Sequence, residues 1–112
     1  RDLAKISSLF LHKGVWKGEQ IIPAEWVELS TQRHVQNIPV SPDGTFGYGF
    51  MWYPGRITGN GGYQFIFAAG NGDQRIFIVP EKEIVVTVFA GNYNNYRHRS
   101  GKKVITKVMD AW

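Results

Sequence analysis

The sequence contains no cysteine, which excludes a disulfide framework and any zinc site built on thiolates. It leaves the compartment open: bacterial periplasmic, secreted and cytoplasmic settings all accept a chain without thiols. Long apolar runs are missing too. No stretch approaches the roughly 20 residues that span a bilayer as a helix, and no charged-then-apolar leader opens the chain, so no membrane partner is expected. The histidines His12, His34 and His98 are scattered, with no His-x-x-x-His pair and no acidic neighbour at ligand spacing. Neither a metal nor another cofactor is expected. Asp2, Asp43 and Asp73 each have a cap or turn role available, and isolated carboxylates do not make an acid–base pair. The glycine-rich Gly59-Asn60-Gly61-Gly62 is followed by neither a Lys-Ser or Lys-Thr pair nor a helix, which argues against a phosphate loop.

What is present suits one globular domain over residues 1–112 with no internal boundary: 43% of the residues are hydrophobic and 14% aromatic, enough for a core. The net charge is +4, but Arg97, Arg99, Lys102, Lys103 and Lys107 cluster on one expected helix, where they read as a solvated face. Nucleic acid is not an expected partner. The chain opens on Arg1 without an initiator methionine and is expected to be helical by about residue 3, as a piece cut from a longer protein would be.

The stretch from Tyr63 to Gly91 carries the strongest pattern. Three runs rich in Ile, Val and Phe are separated by Gly70-Asn71-Gly72-Asp73 and by Pro80-Glu81-Lys82-Glu83, which predicts a three-stranded antiparallel meander. Ahead of it, Asp2 is the expected N-cap of a helix over about Leu3 to His12, closed by Lys13-Gly14. A small hairpin turning at Gly18 follows. Pro23 fits the first turn of a second helix ending near Ser30, with Trp26, Val27 and Leu29 available for packing. Residues 31 to 45 read as loop, Phe46 to Tyr53 as a bent strand, and Pro54-Gly55 as a turn. A last helix is expected over about Arg99 to Ala111, capped by Ser100, with Val104, Ile105, Val108, Met109 and Trp112 in one apolar stripe. The fold class is therefore α+β, a meander with an N-terminal and a C-terminal helix.

The middle and last runs of the meander are apolar on both parities, and a strand apolar on both faces must be covered on both. If the two terminal helices share one face, the other needs cover from a missing N-terminal part of the same fold or from a second copy of the chain. One outer strand would also keep an unpaired edge.

Taken in order, D-L-A-K with a following L-F-L, G-V-W-K-G-E-Q-I-I-P-A-E-W-V, G-Y-G-F-M-W, A-A-G-N-G-D-Q-R-I-F-I-V-P-E-K-E-I-V-V and A-G-N-Y resemble the carboxyl-terminal portion of serine β-lactamase-like hydrolases. Within them the nearest branch is that of class C β-lactamases, penicillin-binding esterases and amidohydrolases. The resemblance implies the C-terminal part of a β-lactamase/transpeptidase-like fold, acting on a small ester or amide through an acyl-serine. It aligns the family's Lys-Thr-Gly strand with Ala68-Ala69-Gly70, and it makes the backbone N–H of Asn71 an oxyanion-hole donor. Such a donor stabilises charge that builds on a carbonyl oxygen during acyl transfer. Asn92 and Asn94, with Asn95 and Arg99, resemble the segment bordering the substrate carboxylate. Ala68 stands where the family has a lysine or histidine, which disfavours antibiotic hydrolysis and favours an esterase or amidase. Without the resemblance, Gly70 to Asp73 reads as a hairpin turn.

The family's Ser-x-x-Lys nucleophile and tyrosine element precede that strand. Ser100-Gly101-Lys102-Lys103 and Tyr93-Asn94-Asn95 match literally but follow it in reversed order, so they are set aside. The nucleophile is expected upstream of Arg1. The alternative is a non-catalytic, self-associating binding module that meets a partner through the Phe46 to Tyr53 aromatics and the basic last helix.

Overall fold

The helix α1 (Asp2–Leu11) begins one residue earlier than its periodicity predicts, because Arg1 rather than Asp2 is its N-cap. Asp2 sits in the first turn, where its carboxylate meets the positive end of the helix dipole and pairs with Lys5 at 2.9 Å. A computed structural model describes residues 1–36, 38, 46–56, 62–95 and 101–112. After α1 comes a hairpin of β1 (Val15–Trp16) and β2 (Glu19–Gln20), whose turn residues Lys17 and Gly18 both have positive φ, as a two-residue primed turn requires. In α2 (Ala24–Thr31), Pro23 is the N-cap and not a first-turn residue. Val27 is buried, but Trp26, expected to pack, is 47% exposed, and Leu29 is exposed as well.

The aromatic stretch from Phe46 corrects a second expectation. It makes isolated bridges, Val35 with Tyr48 and Phe46 with Gly55, and the continuous strand β3 (Tyr53–Arg56) starts only at its end. Pro54-Gly55 lies inside that strand instead of turning the chain. The position is an edge of the sheet, where a proline need donate nothing to a ladder. Gly55 is buried, and a Cβ there would come within 2.5 Å of the Phe46 ring, so the neighbouring aromatics fill the space its missing side chain leaves.

β4 (Gln64–Gly70), β5 (Gln74–Val79) and β6 (Ile84–Val88) form the expected meander, and β3 adds to it. The sheet has four antiparallel strands in the order β3-β4-β5-β6, not three. Between β5 and β6 a 3-10 turn, Pro80–Lys82, is closed by Glu83 at φ 53°. The chain ends in α3 (Gly101–Ala111). The expected start at Arg99, the Ser100 cap and Gly59 to Gly61 lie outside the described residues.

Alternation along β5 divides the core. Ile76 and Ile78 pack with Trp52, Ile66, Val85 and the α1 residues Leu3, Phe10 and Leu11. Phe77 and Val79 pack on the opposite face with Phe65, Ile84 and the α3 residues Ile105 and Met109. The two terminal helices therefore do not share a face: each covers one, and the chain itself supplies both layers. Trp112, counted in the α3 stripe, is 73% exposed beyond the helix end, while Val104 and Val108 are half-buried. β6 pairs only with β5, so among the described residues its outer edge has no partner.

Because Ile78 is 1% and Met109 5% exposed on opposite faces, Ile78→Ala and Met109→Ala should each lower unfolding stability by about 3 kcal/mol. The double variant should lose the sum within about 0.5 kcal/mol. Urea denaturation measures this; strong coupling between the two would contradict separate layers.

Candidate functional site

β4 and β5 are joined by three residues, Asn71, Gly72 and Asp73, and each of them, with Gln74 after it, holds a piece of chain that comes later. Gly72 has φ 90° and Asp73 φ 67°, so the turn runs through two successive left-handed residues. A Cβ on Gly72 would lie 2.7 Å from Cε1 of Tyr93, which is why this position takes glycine. Gly72 forms an isolated bridge with Asn92, whose N–H donates to the Gly72 carbonyl at 3.1 Å.

Asn71 is exposed, and its side chain makes three hydrogen bonds. Oδ1 accepts from the backbone N–H of Gly72 at 2.9 Å and of Asn94 at 3.2 Å, and Nδ2 donates to Asn94 Oδ1 at 3.1 Å. The two backbone donors fix which end of the Asn71 amide is oxygen, and this in turn fixes the Asn94 amide. Three residues on, the Gln74 amide donates to the Ala90 carbonyl and accepts from the Ala90 N–H. The strand-like pairing of β5 with the chain beyond β6 is thus continued by a side chain.

Asp73 is buried and faces the other way. Its Oδ2 accepts from the N–H of Gly101, the first residue of α3, at 3.1 Å, and its Oδ1 lies 3.1 Å from Nη2 of Arg75. A carboxylate there gives an acceptor to an N–H at the described start of α3, where the helix dipole is positive. The Arg75 stem runs so close over Gly101 that a Cβ would sit 2.7 Å from its Cγ. Asp73 thus combines the turn and cap roles available to it.

The structure gathers most of the residues singled out in the sequence. Gly70 and Asn71 are exposed at the end of β4, with Asn92 and Asn94 brought against the same turn. No described group is hydrogen-bonded to the Asn71 N–H. Ala69 is exposed, whereas Ala68 is half-buried and packs into the α1-side core. Asn95 is exposed beyond this group, and Arg99 lies outside the described residues. The pairings of Asn71 with Asn94 and of Asp73 with Gly101 bridge 23 and 28 residues; local spacing carries no sign of either.

Elsewhere, an open groove of about 380 Å³ lined by Arg33, Pro54, Arg56 and Gln64 lies at the opposite end of β4. The aromatic stretch turns mostly inward: Phe46 and Trp52 join the two cores, and Phe50 is exposed, stacked on His34 at 4.6 Å and beside Trp26. Among the described residues there is no group of three His, Asp or Glu able to hold a metal, and no helix long and apolar enough to cross a membrane. No family model matches the chain, and no curated protein matches it.

Removing the Asp73 carboxylate takes a charge partner from the largely buried Arg75 guanidinium and an acceptor from the Gly101 N–H. Asp73→Ala should cost about 3 kcal/mol of unfolding stability, and Asp73→Asn, which keeps an acceptor for the Gly101 N–H, clearly less. Equal losses in denaturant titrations would mean that the charge, not the cap, carries the effect.

Proposed function

We propose that this chain is the oxyanion-hole segment of a serine hydrolase of the β-lactamase-like kind, acting on a small ester or amide through an acyl-serine intermediate. The observation that carries the reading is the Asn71 peptide: it belongs to an exposed residue at the end of a core strand, its N–H is hydrogen-bonded to no described group, and Gly70 beside it adds no side chain. An uncommitted backbone donor is what a developing oxyanion needs, because it stabilises charge without reorganising. Asn92 and Asn94 are brought to the same rim, beside the Asn71 peptide. The half-buried methyl of Ala68 puts no cation there, which favours neutral esters and amides over substrates that need a carboxylate clamp. The serine, its lysine and the assisting tyrosine come from outside these 112 residues, so the segment alone is inactive.

Hydrolysis of a short-chain nitrophenyl ester and of a chromogenic cephalosporin, by this chain and by the protein extended upstream, tests the reading. Turnover by the longer protein alone, with the ester preferred, is expected; absence of turnover in both would reject it. Within the active protein, Asn71→Pro removes the N–H and should lower kcat by about a hundredfold or more. Asn71→Ala keeps the N–H and should retain about tenfold more activity than the proline variant, a difference of about 1.4 kcal/mol in barrier. Equal losses would assign the effect to the side chain.

A second reading, a self-associating binding module, draws on β6. All five residues of its edge, Ile-Val-Val-Thr-Val, are β-branched, it contains no charge or proline, and the following Phe89 is exposed. On either reading another strand belongs on this edge, from upstream sequence or from a second copy. Analytical ultracentrifugation of the isolated chain should show dimers, or the chain should bind a dye for apolar surface. A monodisperse monomer without dye binding would mean that the edge needs no partner.

A further inference from the structure

We propose that Asn94 is a positioning residue, which acts on the Asn71 peptide through the Asn71 side chain and does not itself grip substrate; this rests on the hydrolase reading of Asn71. Asn71 lies between Gly70, the last ladder residue of β4, and Gly72, and neither adds a side chain that would hold the intervening peptide against rotation. A peptide free to rotate would present its N–H to a reacting carbonyl for only part of the time. The restraint is supplied across the turn. Asn94 offers two groups to one side chain, its backbone N–H to Asn71 Oδ1 and its own Oδ1 to Asn71 Nδ2. Asn71 Oδ1 at the same time takes the Gly72 N–H, so the side chain is held at both ends and ties its backbone down on the following side.

Asn94 is itself placed for this. Its φ of 55° is left-handed, a conformation that asparagine tolerates better than most residues. The segment that carries it is pinned on its near side by the Asn92 bridge to Gly72 and by the Gln74 amide on Ala90. Its carboxamide oxygen is turned to Asn71 and accepts from the Asn71 Nδ2, so its side chain is spent first on the turn.

The two roles separate on substitution. Asn94→Gly accepts the left-handed backbone and keeps the backbone N–H to Asn71, deleting only the side-chain acceptor. Asn94→Asp keeps an acceptor for Asn71 Nδ2 and deletes the amide N–H groups that a substrate contact would use. In the full-length protein, Asn94→Gly should lower kcat on the nitrophenyl ester by about tenfold with KM little changed. Asn94→Asp should recover most of that loss. The ¹⁵N order parameter of the Asn71 amide should stay near about 0.8 in the unsubstituted protein and in Asn94→Asp and fall below about 0.6 in Asn94→Gly. An order parameter unmoved by Asn94→Gly would overturn the proposal, as would a rise in KM with unchanged kcat shared by both variants. If the unsubstituted protein hydrolyses neither ester nor amide, the hydrolase reading fails, and the order parameters alone decide whether Asn94 positions the Asn71 peptide.

Discussion

β5 is apolar on both faces, and no arrangement of one layer on one side can hold it. Ile78 and Val79, neighbours in sequence that point opposite ways, are each almost fully buried. Each such side chain contributes about 1.5–3 kcal/mol through burial, more than an exposed pair such as Asp2 with Lys5. The helices are marginal without it. α1 has 10 residues and no side-chain cap, below the roughly 12–15 residues at which isolated helices begin to hold in water. The two-faced strand therefore creates the helices as much as it is covered by them, and it places them at opposite sides although they sit at opposite ends of the chain.

Holding a C-terminal helix against the far face requires an anchor where the chain returns. Asp73 supplies it, since a buried carboxylate that receives the first α3 N–H and lies beside Arg75 ties the helix start to the β4–β5 turn. Desolvating this pair is costly unless both partners are present, so the turn and the helix start are held in one geometry. Four successive residues, Asn71 to Gln74, thus serve the fold and the rim of the proposed site together. The left-handed path through Gly72 and Asp73 separates these duties: it turns Asp73 inward to α3 while Asn71 faces outward to Asn94.

Where the fold followed from alternation it was legible in the sequence. The three runs of the meander, the Lys17-Gly18 turn and the Ile105 and Met109 face of α3 all came from periodicity or turn chemistry. β3 did not, because Pro54 and Gly55 are turn residues by local preference, and only the edge position and the Phe46 ring make them a strand. The helix layers were misassigned for a related reason: periodicity tells that a face is buried, not which partner buries it. Trp26 and Trp112 show the converse, large apolar residues at helical spacing that stay exposed. At the candidate site, Gly70 and Asn71 were marked by a family resemblance and Asn92 and Asn94 by the same likeness. The bond that joins Asn71 to Asn94 spans the whole of β5 and β6, and no local rule reaches that far.

The exposed rim and the open edge make related demands. An oxyanion donor is worth its full effect only where water is excluded, and Asn71 is exposed in this chain. The end of β4, the start of β5 and the end of β6 lie together, since Gly70 pairs with Gln74 and Arg75 with Val88. A strand laid along β6 would therefore bring whatever it carries to the same end of the sheet as Asn71. On the hydrolase reading, one added element both completes the ladder and helps close the site, which couples catalysis to the integrity of the sheet. On the module reading the same edge could be satisfied by a copy of itself, and the Asn71 N–H would face solvent with no reacting group beside it.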